Sequence, residues 1–205
     1  MSDNMKVSVL CVTRRANRVG ESIKSLYDLA NDKKSVECLV WIDDDDSETH
    51  EVLKNLKKEI VNLRLFVCPR VGFSNMGFVF EHMIKASRSE VLFPWADDFT
   101  MTTTGWDEKM SRYSDEAAII GMHTRFGFTK KLLEKHDIVG IVKDHTQNGN
   151  EYIQSYGQRH NLYKPVEEGA TSKCWFKVDR LKRIERVNIS LEDIEADFDI
   201  LKYEV

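Results

Sequence analysis

The sequence predicts an α/β protein whose central sheet is Rossmann-like and mostly parallel, flanked by helices, with a less regular second half. In the first half, short apolar runs alternate with patterns that repeat apolar residues every three or four positions, which is typical of strand–helix–strand crossover units. The chain has 205 residues, of which 41% are hydrophobic and 31% charged, and this indicates one compact globular domain. Its three prolines and ten glycines leave no room for a low-complexity linker.

The first half contains four predicted strands and three predicted helices. Continuous apolar runs predict strands over residues 5–12, 36–42, 63–68 and 91–95. Amphipathic patterns between these runs predict helices over about 19–30, 49–60 and 74–87. Right-handed crossovers would then bring the carboxyl ends of the strands to one edge of the sheet.

The second half has weaker patterns and no visible domain boundary, so we treat residues 1–205 as a single domain. A Thr-x-x-Asp spacing that ends at Asp107 resembles a capping box and predicts a short helix to about residue 113. A strand over 117–122 and helices over 129–136 and 154–162 are predicted next. A last helix is predicted from about residue 190, with an apolar stripe formed by Leu191, Ile194, Phe198 and Leu201.

Charge and cysteine usage exclude several classes of protein. The 30 Lys and Arg against 34 Asp and Glu give a net charge of −4, so the basic excess of a general nucleic-acid binder is lacking. No apolar run approaches the length of a membrane span, and no membrane partner is expected. Cys11, Cys38 and Cys68 each lie in an apolar run, which favours buried free thiols. We therefore expect a soluble protein of a reducing compartment, the cytoplasm.

Charged residues follow three of the predicted strands. The first strand is followed by Thr13 and two arginines, and the second by four aspartates from Asp43 to Asp46. The fourth is followed by Asp97 and Asp98. Ligands of open parallel sheets bind at the carboxyl ends of the strands, so these residues are the candidate site.

Asp97 and Asp98 are candidate metal ligands. Adjacent carboxylates in an apolar frame repel each other unless a cation or hydrogen bonds compensate, and Mg²⁺ and Mn²⁺ prefer oxygen ligands. A helix N-cap or a solvated turn would also suit these two residues. The run from Asp43 to Asp46 suits a metal, the positive end of a helix, or a contact with a base or ribose. The sequence has neither a G-x-G-x-x-G nor a Walker motif, which argues against dinucleotide and P-loop sites.

Several stretches, in this order and spacing, resemble the family 2 glycosyltransferases of the GT-A fold. Two of them resemble the beginning of that family: the opening strand, which ends in Thr-Arg, and the second strand, which ends in aspartates. A third stretch resembles the family's glycine/asparagine segment, and a fourth resembles the strand that leads to its D-x-D motif. In chain order they are VSVLCVTR (7–14), LVWIDD (39–44), GFSNMG (72–77) and EVLFPWADD (90–98). A Gly-Trp pair at Gly105 follows at the expected interval. The resemblance covers about residues 6–110 and continues weakly to about 162.

The resemblance implies a GT-A fold in which residues 1–110 bind a nucleotide sugar and residues 111–205 form the acceptor side. It implies that the donor, a UDP-sugar first of all, is bound by Thr13, Arg14, Asp43, Asp44, Asn75 and Asp97. It also implies that Asp97 and Asp98 hold Mn²⁺ or Mg²⁺ across the diphosphate. A hexosyl group would then move to an acceptor hydroxyl, with inversion in a single displacement. The family's catalytic base begins a helix of the second half, and the matching carboxylates here are Glu151 and Asp144.

Two other functions remain open at the level of the sequence. A nucleotidyltransferase would share the sheet and the carboxylate–metal chemistry, but it would need a glycine-rich basic loop after the first strand, and residues 13–18 have no glycine. A catalytically degenerate module would bind the sugar nucleotide without turnover. The acceptor is equally open among glycans, proteins, lipid-linked sugars and modified nucleic acid, and the acidic net charge does not favour the last.

Overall fold

A computed structural model describes residues 5–72, 75–122, 125–135, 161–166, 172–174 and 198–205. The strands within these residues are β1 (Val7–Thr13), β2 (Val36–Asp43), β3 (Leu63–Cys68), β4 (Val91–Ala96), β5 (Phe99–Met101), β6 (Ile119–Met122), β7 (Arg125–Thr129), β8 (Tyr163–Pro165) and β9 (Ser172–Cys174). The α-helices are α1 (Ala16–Leu29), α2 (Ser47–Lys57), α3 (Met76–Ala86), α4 (Trp106–Ser111) and α5 (Lys130–Lys135). Short 3₁₀ helices cover Lys33–Ser35 and Ile200–Tyr203. The helix expected over 154–162 lies almost wholly outside the described residues.

The central sheet has seven strands in the order β3-β2-β1-β4-β7-β6-β8. The four strands of the first half pair in parallel, β1 with both β2 and β4, and β2 with β3. In the second half β7 runs antiparallel to β4 and β6 antiparallel to β7, while β8 pairs with β6 in parallel. β5 and β9 form a separate antiparallel pair. The prediction of a mostly parallel sheet flanked by helices is confirmed, and the antiparallel strands account for the less regular second half.

Each face of the sheet has its own apolar core, because successive strand residues point to opposite sides. Val9, Val40 and Phe93 face α1, α2 and α4, whereas Leu10 and Trp41 face α3, α5 and the C-terminal residues. Strands that are buried on both faces are nearly continuous apolar runs, which is why the sequence showed them clearly. The buried free thiols expected at Cys11, Cys38 and Cys68 are confirmed.

The predicted capping box near Asp107 is wrong. α4 begins at Trp106 and its N-cap residue is Gly105, which has a left-handed backbone with φ 65° and makes no side-chain cap bond. The Asp107 carboxylate instead accepts hydrogen bonds from the backbone N–H groups of Asn31 (2.8 Å) and Asp32 (3.0 Å), just after α1. A long-range partner has replaced the local one, and Asp107 joins α4 to the end of α1.

The C-terminal residues differ from the predicted helix. Two residues of the expected apolar stripe, Leu191 and Ile194, lie outside the described part of the chain. Phe198 stacks on Tyr203, with 5.0 Å between ring centroids. Leu201 is exposed, and Ile200 is buried in its place. Glu204 forms an isolated antiparallel bridge with Phe66. The last residues therefore cover the open edge of β3, which would otherwise leave backbone groups unpaired.

A buried polar cluster lies at the amino ends of the strands, away from the predicted ligand edge. Glu37 is fully buried and accepts hydrogen bonds from the Ser8 hydroxyl at 2.5 Å and the Arg88 backbone N–H at 2.6 Å. Arg64 lies 3.4 Å from Glu37 and binds Glu204 through two nitrogens, at 2.8 and 2.7 Å. Since buried charges need partners, this cluster ties β2, β3 and the C-terminal residues together. None of the described helices is long and apolar enough to cross a membrane.

Candidate functional site

The structure brings Thr13, Asp97 and Asp98 together at the carboxyl edge of β1 and β4. Thr13 is the last residue of β1, and the two aspartates form the turn between β4 and β5. β1 and β4 are parallel neighbours, so their carboxyl ends lie side by side. Thr13 contacts Asp97 directly, and Asp98 is linked to Asp97 through the guanidinium of Arg15.

Asp97 is held in place by two donors. The Thr13 hydroxyl donates to Asp97 Oδ2 at 2.7 Å, and Arg15 Nη1 lies 3.3 Å from Asp97 Oδ1. Asp97 is only 8% exposed. Burial raises the pKa of its carboxyl, and the Thr13 hydrogen bond and the positive charge of Arg15 oppose that rise. Because each oxygen of this buried carboxylate has a donor, its orientation is fixed. A fixed orientation is what a side chain needs in order to contact a bound molecule at one defined position.

Asp98 shares the guanidinium of Arg15 with Asp97. The same nitrogen, Nη1, lies 3.4 Å from Asp98 Oδ2 and 3.3 Å from Asp97 Oδ1. The two carboxylates therefore face one common positive charge, and the Asp98 side chain is 22% exposed toward solvent. The sequence indicated Arg15 only as one of two arginines after the first strand, and its contacts with the two aspartates were not predicted.

A cleft of about 200 Å³ lies in front of this pair. Its lining comes from the first turns of α1 and from the β4–β5 turn, and consists of Asn17, Arg18, Glu21, Ser22, Asp97, Asp98, Phe99 and Thr100. Pockets that enclose whole cofactors are usually larger, roughly 300–1,000 Å³. The cleft is smaller than such a pocket, and its walls carry one cation, Arg18, and three carboxylates, Glu21, Asp97 and Asp98.

A second charged group lies at the carboxyl end of β2. Arg14 Nη1 donates to Asp43 Oδ2 at 2.5 Å and to Asp45 Oδ1 at 2.7 Å, and Arg70 reaches Asp45 at 3.2 Å. Burial raises the pKa of Asp43, against the opposing effect of Arg14. The hydrogen bond from Arg14 lowers the pKa of the more exposed Asp45. The sequence indicated Asp45 only as a member of the aspartate run, and it did not indicate Arg70.

The remaining residues of the aspartate run have different surroundings. Asp44 is exposed, and its backbone N–H donates to the carbonyl of Cys68. Asp46 is the N-cap of α2, where one oxygen accepts from the Thr49 backbone N–H at 3.2 Å. Of the interpretations left open for the run, the helix-terminus one therefore applies to Asp46, whereas Asp43 lies beside Arg14 at the carboxyl end of β2.

Asn75 lies apart from the contacts described so far. It is the N-cap residue of α3, and its side-chain amide donates to the Val71 carbonyl at 2.8 Å. This position follows β3, which is separated from β1 by β2 in the sheet. Glu151 and Asp144, the two candidates for the catalytic base, lie outside the described residues.

The donor set for a metal is small in the part of the chain that the structure describes. No group of three or more His, Cys, Asp or Glu side chains is arranged there to hold an ion. The Asp97–Asp98 pair nevertheless already faces a shared cation, the Arg15 guanidinium. Mg²⁺ is commonly bound by one or two carboxylates together with substrate phosphates and water, so a pair of this kind fits such an ion.

The fold is shared with solved sugar-nucleotide-binding proteins. S. aureus TarS, residues 1–349, aligns with a TM-score of 0.63 at 14% identity, covering 82% of this chain and 60% of that chain. Its complex with UDP gives 0.62 at 13% identity, with the same coverage of 82% and 60%. The mannosyltransferase PcManGT from Pyrobaculum calidifontis, in complex with GDP-Man and Mn²⁺, gives 0.61 at 12% identity over 78% of this chain and 54% of that chain.

These likenesses define the class of fold: the chain has the GT-A glycosyltransferase fold expected from the sequence. At 12–14% identity they show the fold alone. The chain spans about 60% of the length of the TarS structure and 54% of that of PcManGT. No protein-family model and no curated protein matches the sequence.

Proposed function

We propose that the chain is a glycosyltransferase that transfers a sugar from a nucleotide-sugar donor, a UDP-sugar first of all, to an acceptor hydroxyl. The observation that carries the proposal is the Asp97–Asp98 pair. It follows a central parallel strand, faces a common cation and borders a cleft. The pair has this setting on a fold whose solved examples include complexes with UDP and with GDP-Man and Mn²⁺.

Asp97 and Asp98 are the residues that would hold Mn²⁺ or Mg²⁺. The ion would neutralise negative charge on the leaving nucleoside diphosphate. Thr13 fixes one oxygen of Asp97, which leaves the more exposed Asp98 as the more accessible ligand. In this proposal Thr13 is a positioning residue and the two aspartates carry the metal dependence.

The base and ribose of the donor would lie over the ends of β1 and β2. Asp43 and Asp44 are acceptors for base N–H or ribose hydroxyl groups, and Arg14 orients Asp43 through its hydrogen bond. Asn75, the N-cap residue of α3, is also proposed to contact the donor. These roles are carried over from the family resemblance, and substitution of the same residues would test them.

Transfer itself needs a base for the acceptor hydroxyl. In a single displacement with inversion, this base lies on the face of the sugar opposite the leaving diphosphate. Glu151 is our first assignment and Asp144 the second, both carried over from the family resemblance. For the acceptor, we propose only that it carries the hydroxyl group that is glycosylated.

The free buried thiols support a reducing, cytoplasmic environment.

A nucleotidyltransferase is less well supported. Its triphosphate would need a glycine-rich loop after β1, whereas α1 begins at Ala16, three residues after the strand, with Arg15 as N-cap. A binding module without turnover would have the same contacts as a transferase, so only a rate measurement separates the two.

A thermal-shift panel of nucleotide sugars, with and without Mn²⁺, tests the proposal. We expect one donor class to raise the melting temperature in a cation-dependent manner, with the effect lost in Asp97→Asn and Asp98→Asn. Asp115→Asn is the matched control, because Asp115 is a surface carboxylate with a side chain 96% exposed. If no nucleotide sugar stabilises the folded protein with any divalent cation, the transferase proposal is wrong.

The same panel separates an active enzyme from a degenerate module. An enzyme would release the nucleoside diphosphate slowly to water even without its acceptor, whereas a module would bind the donor and leave it intact. Phosphorus NMR of the stabilising donor measures this release.

A further inference from the structure

The position of Arg15 has a consequence for the order in which ligands bind. Its Nη1 lies 3.3 Å from Asp97 Oδ1 and 3.4 Å from Asp98 Oδ2, between the two carboxylates proposed to hold the divalent ion. A guanidinium and a divalent cation cannot both occupy the space between the same oxygens, because like charges at such separations repel strongly. Arg15 must therefore leave this position, at least in part, before a metal ion contacts both carboxylates.

Arg15 is free to make that movement. Its side chain is 36% exposed, and it is the N-cap residue of α1, with no side-chain cap bond that would be lost. Arg18, one turn further along α1, lines the cleft beside Asp97 and Asp98. A guanidinium that turns from the carboxylates toward this cleft would meet a donor diphosphate, for which its planar array of N–H groups is well suited.

We propose that Arg15 couples the two ligands of the site: it occupies the cation position while the donor is absent and moves to the donor diphosphate when the divalent ion enters. The inference rests on the proposed function, since it needs a metal and a diphosphate at this site. It assigns Arg15 as a positioning residue that weakens metal binding by the free protein and strengthens metal binding in the presence of the donor.

Calorimetric titration of Mn²⁺ into the protein without nucleotide tests the first half of the proposal. Arg15→Ala removes the competing cation, so Mn²⁺ should bind tighter, by roughly tenfold for the loss of two partly exposed ion pairs. Arg15→Lys keeps one positive nitrogen between the carboxylates and should stay near wild type. Lys24→Ala is the control, because it removes one positive charge from the same helix at an ion pair with Glu59 outside the cleft.

Titration of UDP at saturating Mn²⁺ tests the second half. Here Arg15→Ala should bind UDP more weakly, by roughly tenfold to a hundredfold for a lost charged contact to phosphate. The same substitution thus changes the two affinities in opposite directions, which a loss of folding or a general loss of charge would not do. Melting temperatures measured without ligand show that the variants are folded.

Three outcomes overturn the inference. If Arg15→Ala binds Mn²⁺ no more tightly than wild type, Arg15 does not compete for the cation position. If it binds UDP at saturating Mn²⁺ as tightly as wild type does, Arg15 does not move to the donor diphosphate. If wild type binds UDP equally well with Mn²⁺ and with a chelator, the inference fails while the nucleotide site of the proposed function stands. Failure of the proposed function itself has a different signature, the absence of binding by any nucleotide sugar.

Discussion

Replacement of Asp107 with alanine should destabilise the protein, because its carboxylate joins α4 to the residues that follow α1. Its fully buried carboxylate accepts the backbone N–H groups of Asn31 at 2.8 Å and Asp32 at 3.0 Å. An N–H group left without an acceptor costs about 1–3 kcal/mol when it is buried. Because both N–H groups belong to a partly exposed turn, their combined cost should lie in the lower part of the range for two such groups. We therefore expect Asp107→Ala to lower the free energy of unfolding by about 3 kcal/mol.

Urea unfolding followed by circular dichroism measures this change, and a thermal scan should show a melting temperature lower by about 6–12 °C for a chain of this size. Asp107→Asn keeps one acceptor oxygen and should lose about half as much. Glu108→Ala is the matched control, because the adjacent Glu108 is exposed and its carboxylate accepts a hydrogen bond from the Asn31 side-chain amide at 2.9 Å. It should change stability by less than about 0.5 kcal/mol. Equal losses of stability in Asp107→Ala and Glu108→Ala would show that the two backbone hydrogen bonds of Asp107 do not stabilise the fold.

Further predictions concern packing, acid stability and thiol reactivity. Gly127→Ala should lower the free energy of unfolding by about 1–3 kcal/mol, because the added Cβ would lie 2.2 Å from the methyl group of Met110 and 3.0 Å from a backbone oxygen. Gly20→Ala should instead raise it in urea unfolding, because Gly20 lies in a helix and the nearest atom to an added Cβ is 3.5 Å away. The hydrogen bond from Arg64 lowers the pKa of Glu204, so this pair stabilises the folded state above the ordinary carboxyl pKa and the benefit is lost as pH falls through the lowered one. Glu204→Gln should therefore be about 1 kcal/mol less stable near neutral pH, with the difference shrinking in acid. Burial raises the pKa of the Cys38 thiol, so iodoacetamide should label it only after unfolding, as read by mass spectrometry.

The first half of the fold was predictable because its signals are local. Strands buried on both faces leave continuous apolar runs, and the helices that cover them leave amphipathic patterns, so the four parallel strands and their order along the chain could be assigned from the sequence. Parallel topology then placed Thr13, Asp97 and Asp98 at one edge. That part of the candidate site needed only strand ends and the crossover rule.

Contacts between distant positions could not be predicted in the same way. Arg15 belongs to a basic run whose sequence does not show which of its members turns toward the β4–β5 turn, and the pairing of Arg14 with Asp43 depends on the neighbouring strand β2. At Asp107 a familiar local spacing suggested a cap, but the backbone after α1 provided better donors. At Leu201 the expected helical period was overridden by the attachment of the last residues to the edge of β3.

The central claim is that Asp97 and Asp98 hold a divalent cation against the diphosphate of a nucleotide sugar. A crystal grown with Mn²⁺ and UDP, measured at an X-ray energy where manganese scatters anomalously, tests it directly. We expect an anomalous peak at coordination distance from Asp98, roughly 2–2.3 Å, with UDP phosphates on the same ion and the uracil over the ends of β1 and β2. UDP bound elsewhere on the protein, or manganese bound away from both aspartates, would show that Asp97 and Asp98 are not the metal site of the donor.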